Sequence, residues 1–159
     1  MSSAVTYRTC PRSGLQFEGQ AEKLMIANAF VAVVFLLIGG ILAIGVVLTR
    51  WPAVHWLAAD TFYQVLTAHG IDMLIFWIIF FEVAVLYFCS STLLRCRIAT
   101  PKIAWLAFAL MLIGAITNNV AVFQGGSSVM MTSYVPMMAA PSFYLGLILF
   151  AVGALIACF

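Results

Sequence analysis

The chain has 159 residues, of which 65% are hydrophobic and 8% are charged, and its mean hydropathy is +1.16. Soluble domains carry about 25% charged residues, so this composition excludes a cytosolic enzyme and a nucleic-acid-binding protein. Four Cys are too dilute for a disulfide-stapled secreted module, and the net charge of +2 says little by itself. We therefore expect an all-α integral membrane protein.

Four apolar stretches are each long enough to cross a bilayer core about 30 Å thick as a helix. Because they are continuously apolar, without alternation, helices are favoured over barrel strands. The predicted spans are residues 24–48, 62–92, 103–123 and 141–159, which follow an N-terminal segment over 1–23. The first span is too long for a signal-peptide core, and the second exceeds one crossing, so it is expected to tilt or protrude.

The distribution of Lys and Arg indicates the orientation in the membrane. With a cytoplasmic N-terminus, six of the seven basic residues face inside, as the positive-inside tendency predicts. Those six are Arg8, Arg12, Lys23, Arg95, Arg97 and Lys102, whereas Arg50 lies outside. We therefore expect a multi-pass protein of the inner cell membrane with segment 1–23 in the cytoplasm.

The fourth predicted span stops at Phe159 without a basic or polar flank on the expected cytoplasmic side. Lys or Arg usually anchors such an end. Two interpretations follow, one with the terminal carboxylate at the interface and one with a truncated or split chain. We favour the truncated or split chain, which makes these helices the first part of a longer protein.

Polar residues inside a span are costly, which makes them functional candidates. His69 lies roughly 12 Å from the outer end of the second predicted helix. Its position alone leaves two interpretations open, a core histidine bonded to a neighbouring helix and a metal or haem ligand. Asp72 shares the same face one turn deeper. We expect Asp72 to be protonated or paired, with an interhelical hydrogen bond favoured over a proton relay.

Several other residues have a structural interpretation from position. Glu82 lies about 220° round the helix from His69, so it does not join that face and is either an interhelical contact or part of a proton path. His55, in the loop after the first span, is expected to pack at the interface and not to bind a ligand. Asn118 and Asn119 are expected to hydrogen-bond between helices.

Small residues and cysteines give weaker signals. Gly39, Gly40 and Gly45 of the first span are expected to let another helix approach closely. The four Cys show no paired zinc-type spacing, and we expect free thiols.

A motif in the second predicted span, residues 63–70 (YQVLTAHG), resembles the second helix of haem-copper oxidase subunit I. In that family the His of the Thr-x-His-Gly motif is an axial ligand of the low-spin haem. Two later segments, 134–136 (YVP) and 141–146 (PSFYLG), are similar to the outer Tyr-Pro segment and the start of the fourth helix. The pattern is most similar to the B-type, ba3-like branch, over about residues 24–159.

The resemblance implies that four transmembrane helices form the N-terminal part of a subunit I bundle of about twelve helices. It implies that His69 binds the iron of a low-spin haem, of b type, in a cytochrome-c-oxidase-like oxidoreductase of aerobic respiration. The implied partners are the remainder of subunit I, a subunit II with a copper centre, and a cytochrome c or quinol donor. The copper site and the high-spin haem of the family need further histidines, and this chain has two.

Several alternatives stay open at this point. Asp72 and Glu82 match no family site, so no role is carried over to them. Nitric oxide reductases share the scaffold, so the acceptor is either oxygen or nitric oxide. A haem-free four-helix structural or assembly protein is also allowed, as is a small transporter with proton-linked carboxylates. The lack of repeats and of broken helices in matching halves argues against the transporter.

Overall fold

The computed structural model describes residues 7–127 and 138–158. In these residues a short antiparallel hairpin, Tyr7–Thr9 (β1) paired with Gln16–Glu18 (β2), precedes four helices. The helices are Gly19–Arg50 (α1), Ala59–Leu93 (α2), Pro101–Gly126 (α3) and Pro141–Ala157 (α4). The predicted all-α membrane fold is confirmed, because α1, α2 and α3 are long and apolar enough to cross a bilayer and α4 is a shorter apolar helix.

Helix α1 extends beyond the predicted span 24–48 at both ends. The Glu18 side chain accepts a hydrogen bond from the backbone N–H of Ala21 (2.8 Å), which satisfies one of the unpaired donors of the first turn. The helix ends at Arg50, since the residue before Pro52 is extended, as proline favours. Its 32 residues span about 48 Å, so α1 tilts or protrudes from a core about 30 Å thick.

Helix α2 covers the predicted span 62–92 and contains two π-helical turns, Asp72–Phe76 and Cys89–Leu93. In the first of them, the backbone N–H of Trp77 donates to the carbonyl oxygen of Asp72. A π turn interrupts the 3.6-residue repeat. The positions of residues around the axis of α2 beyond this turn therefore differ from those expected for a regular α-helix. Turns of this kind are frequent at functional sites.

The ends of α3 and α4 follow from proline and glycine. Each helix begins with proline at its first position, Pro101 and Pro141, where a backbone N–H would have no partner. Helix α3 closes in a π-helical turn in which Gly125 has a φ of 79°, a conformation that favours a residue without Cβ. The predicted spans 103–123 and 141–159 therefore match, although α4 ends at Ala157 and the last residue lies outside the described part.

Helices α3 and α4 approach each other through glycines. A Cβ on Gly114 would lie 2.5 Å from a backbone nitrogen of α4, and a Cβ on Gly146 would lie 2.8 Å from a backbone nitrogen of α3. Gly153 meets the α3 backbone in the same way. Since backbone atoms cannot move aside, a larger residue would separate the helices. In α1, a Cβ on Gly40 would meet nothing within 4 Å in the described part of the chain, so the expectation of close approach there was wrong.

Aromatic rings from three helices form the centre of the bundle. Ring centroids lie 5.3 Å apart for Phe35 and Phe76, 4.8 Å apart for Phe76 and Phe150, and 5.6 Å apart for Phe80 and Phe150. All four side chains are buried. Because lipid tails are as apolar as these side chains, the helices associate through close packing and ring contacts of this kind.

The hairpin attaches to the bundle where α1 begins and α2 ends. The backbone N–H of Glu18 donates to Oγ of Ser91 at 2.9 Å, across 73 residues of sequence. Arg8 on β1 forms an ion pair with Glu22 in the first turn of α1. From Tyr7 onward, the predicted N-terminal segment 1–23 therefore forms a folded cap on one end of the bundle.

Cys10 follows β1, outside the membrane-spanning helices. Hydrogen bonds from the side chain and backbone of Ser13 lower the pKa of the Cys10 thiol to about 7, and Arg8 acts in the same direction with a smaller effect. Because the thiolate is the nucleophilic form, this thiol gains reactivity near neutral pH.

We expect the alkylation rate of Cys10 by iodoacetamide to reach half its maximum near pH 7, because the thiolate fraction rises as pH passes the pKa. In Ser13→Ala the pKa returns toward the usual thiol value, and the midpoint moves to higher pH. Mass spectrometry of the Cys10 peptide over a pH series measures both midpoints. Equal midpoints in the two proteins would contradict the role of Ser13.

Candidate functional site

His69 lies on α2, ten residues after Ala59, and its side chain is half-buried. Its Nδ1 is 2.9 Å from the carbonyl oxygen of Gly39 on α1. Because a carbonyl oxygen only accepts hydrogen bonds, Nδ1 carries the hydrogen, and Nε2 of the neutral ring keeps its lone pair. Ten residues of helix correspond to about 15 Å, so a nitrogen able to bind metal lies well inside the span.

Gly39 lets α2 come close enough for this bond. A Cβ on Gly39 would lie 2.7 Å from Sδ and 2.8 Å from Cγ of Met73, and 3.3 Å from Cβ of Asp72. A side chain at this position would push α2 away from α1 and lengthen the bond to His69. The expectation that Gly39 permits close helix approach is confirmed. That its carbonyl oxygen is the acceptor for His69 could not be predicted from the sequence.

Asp72 lies one turn beyond His69 and is completely buried. Its Oδ1 accepts a hydrogen bond of 2.9 Å from Nδ2 of Asn119 on α3. The expected interhelical bond is therefore confirmed. Its Oδ2 has no hydrogen-bond partner in the described part of the chain, which leaves one buried oxygen of this carboxyl group unsatisfied.

Asp72 does not orient the imidazole of His69. Among residues 7–127 and 138–158, the ring of His69 bonds to Gly39, whereas the Asp72 side chain bonds to Asn119. Two polar contacts therefore meet on this stretch of α2, one directed to α1 and the other to α3.

The neighbouring amides of α3 hold two different helices. Asn118 is buried and donates to the carbonyl oxygen of Phe143 on α4 at 3.0 Å. Asn119 donates to Asp72 on α2 and also to the carbonyl oxygen of Ala115 in its own helix. The prediction that both residues hydrogen-bond between helices is confirmed.

The remaining polar candidates lie apart from this site. His55 is exposed in the loop between α1 and α2 with a φ of 42°, and Glu82 is exposed on α2. In the described residues no three His, Cys, Asp or Glu side chains come together as metal ligands would. His69 is accordingly the one sequence candidate whose geometry prepares a nitrogen for a ligand, among those that the structure describes.

The structure describes two of the three segments that resemble the oxidase family, 63–70 and 141–146. Within 63–70, Thr67 is buried and its hydroxyl donates to the carbonyl oxygen of Tyr63 at 2.8 Å. Within 141–146, Phe143 is buried and Gly146 contacts α3. The segment 134–136 lies outside the described residues.

A cavity of about 620 Å³ lies between α1 and α3. Its walls are apolar except for Asn119 and Gln124, and they do not include His69.

Comparison with known proteins gives two results. The family model described as cytochrome c and quinol oxidase polypeptide I matches residues 23–159. The chain is also similar to one in the solved structure described as "Cryo-EM structure of a heme-copper terminal oxidase dimer provides insights into its catalytic mechanism", with a TM-score of 0.77 and 25% identity. That likeness covers 89% of this chain and 25% of the other, so this chain spans about a quarter of its length. No curated protein gives a significant match.

Gly39→Ala should lower the free energy of unfolding by about 1–3 kcal/mol, because the added methyl group meets Met73 and Asp72. Gly40→Ala is the matched control, since its Cβ meets nothing within 4 Å and alanine favours helix. Reversible unfolding of the two variants in detergent micelles measures the difference. Equal stabilities would contradict the close contact at Gly39.

The bond between Asp72 and Asn119 should appear as a coupling free energy. We expect the single variants Asp72→Leu and Asn119→Leu and the double variant to give a coupling of about 0.6 kcal/mol and no more than about 1.7 kcal/mol, the average and the maximum for interhelical hydrogen bonds in a membrane protein. Asn118→Leu with Asp72→Leu serves as control, because Asn118 bonds to α4. Additive effects of Asp72→Leu and Asn119→Leu would show that the bond contributes nothing.

Proposed function

The chain belongs to the cytochrome c and quinol oxidase polypeptide I family, and on this basis we propose that it forms part of the catalytic subunit of a haem-copper terminal oxidase. In this subunit His69 is an axial ligand of the low-spin haem iron. The whole subunit is an oxidoreductase that passes electrons to an oxygen-reducing centre in aerobic respiration.

The hydrogen bond between His69 and Gly39 carries this proposal. It places the hydrogen on Nδ1 and leaves the lone pair of Nε2 for iron, as metal-ligating histidines require. The chemistry of the side chain also fits, since the imidazole of histidine is a common haem ligand. His69 is only half-buried, so the four helices do not fully enclose it, which is compatible with a bound haem.

Each residue of the site helps to position the His69 side chain, which is the proposed ligand of the haem iron. His69 presents Nε2 to the metal, and the Gly39 carbonyl fixes the plane and the tautomer of its ring. The Asn119 amide holds Asp72 at the start of the π-helical turn that follows the ligand. When bound, the haem supplies a one-electron redox centre whose potential depends on its axial ligands and on the polarity around it.

We also propose a subtype, a haem type, partners and a location for this subunit, following the expectations from the sequence. The subunit is of the B type, ba3-like, with a low-spin haem of b type, and residues 24–159 form the N-terminal four-helix portion of its membrane domain. Its partners are the rest of subunit I, a subunit II with a copper centre, and a cytochrome c or quinol donor. It lies in the inner cell membrane with segment 1–23 in the cytoplasm, which the distribution of basic residues supports.

His69→Ala in the full-length subunit should abolish the absorbance of the reduced low-spin haem, because the iron loses an axial ligand. His55→Ala should leave that spectrum intact, since His55 is exposed in a loop. Optical spectra of the purified, dithionite-reduced proteins measure the effect, and their melting temperatures identify a variant that fails to fold. A folded His69→Ala protein with an unchanged spectrum would overturn the ligand assignment.

A further inference from the structure

A second cavity, of about 320 Å³, opens at the end of the bundle where α2 ends, α3 begins and α4 ends. Each helix contributes an apolar side chain to its wall, namely Leu86, Ile103 and Ile156. The lining also includes polar side chains, those of Ser90, Arg97 and Thr100. The cavity is thus amphipathic and lies at the level of helix ends, where the bilayer meets water.

The loop between α2 and α3 places Arg97 in this wall. Arg95 has a φ of 52°, so the chain turns back after α2. The backbone N–H of Cys96 then donates to the carbonyl oxygen of Ser90 at 2.9 Å, and Ile98 packs against the core. Arg97 lies between these two attachment points, is exposed and forms part of the cavity wall.

The positive charge at this cavity has no carboxylate partner within the described residues. Arg95, Arg97 and Lys102 lie close together in sequence, yet the ion pair formed in the described chain joins Arg8 to Glu22. Glu82, the nearest acidic residue along α2, precedes Ser90 by eight residues, or about 12 Å of helix. No carboxylate is among the residues that line the cavity, whereas Arg97 is, so an anion bound there would meet positive charge.

We propose that this cavity binds an anionic phospholipid, with the phosphate at Arg97 and one acyl chain along the wall of Leu86, Ile103 and Ile156. A guanidinium offers paired N–H donors that match phosphate oxygens. Basic pockets between membrane helices at the membrane surface bind acidic headgroups by the same chemistry. The helix-end position selects a lipid, since a lipid presents phosphate and hydrocarbon together at this level. The site is independent of His69 and of any haem.

Native mass spectrometry of the full-length protein tests the proposal. Micelles containing equimolar phosphatidylglycerol and phosphatidylcholine with the same acyl chains are titrated, and bound lipids are counted. Phosphatidylglycerol should be retained preferentially, and Arg97→Gln should lower its occupancy about fivefold, the effect of one basic group near an anionic headgroup. Arg97→Lys keeps the charge and should retain most of the preference.

Arg12→Gln is the matched control, because it removes the same charge from an exposed position after β1, away from the cavity. Its lipid occupancy should equal that of the unaltered protein. Equal losses in Arg12→Gln and Arg97→Gln would show a general charge effect and overturn the site. Equal retention of the two lipids, or an unchanged Arg97→Gln, would overturn it as well.

Discussion

The hydrogen bond from Nδ1 of His69 to the carbonyl oxygen of Gly39 is the interaction on which the candidate site depends. In a bilayer core no water replaces a missing partner, so an unpaired imidazole N–H would be costly. The bond removes that cost, joins α1 to α2 and fixes which ring nitrogen keeps its lone pair. The lack of a side chain at position 39 favours this close approach, since Met73 and Asp72 fill the space that a Cβ would need.

Helix α3 is bonded to the helices on both sides by two neighbouring amides. Asn118 donates to α4, and Asn119 donates to Asp72 on α2. Consecutive residues project about 100° apart on a helix, so one pair of residues reaches two neighbours. Asn118, Asn119 and Asp72 thus form hydrogen bonds between helices inside the bundle, whereas its basic residues lie near the helix ends and in the loops. Because the basic residues lie away from the buried polar groups, the chain combines an apolar interior around α2 with a cavity lined in part by Arg97 at the end of the bundle.

The helices could be predicted from hydropathy because a helix that crosses a bilayer core needs about 20 consecutive apolar residues. Each predicted span begins and ends within a few residues of an observed helix. The bonds of Asp72 and Asn119 could be predicted from the cost of polar groups in lipid. The hairpin could not, since strands of three residues are too short to show an alternating apolar pattern. Gly39 and Gly40 look equivalent in sequence, and only the packing of α2 distinguishes them. The acceptor for His69 is a backbone carbonyl, which leaves no trace in a side-chain pattern.

The central claim is that His69 binds haem iron through Nε2 while Nδ1 donates to Gly39. A cryo-electron microscopy structure of the complete subunit, at a resolution that places side chains, tests it most directly. The claim requires continuous density between Nε2 and an iron atom, with Nδ1 still within hydrogen-bonding distance of the Gly39 carbonyl. A ring that faces lipid with no metal beside it, or an iron bound through Nδ1, would contradict the account.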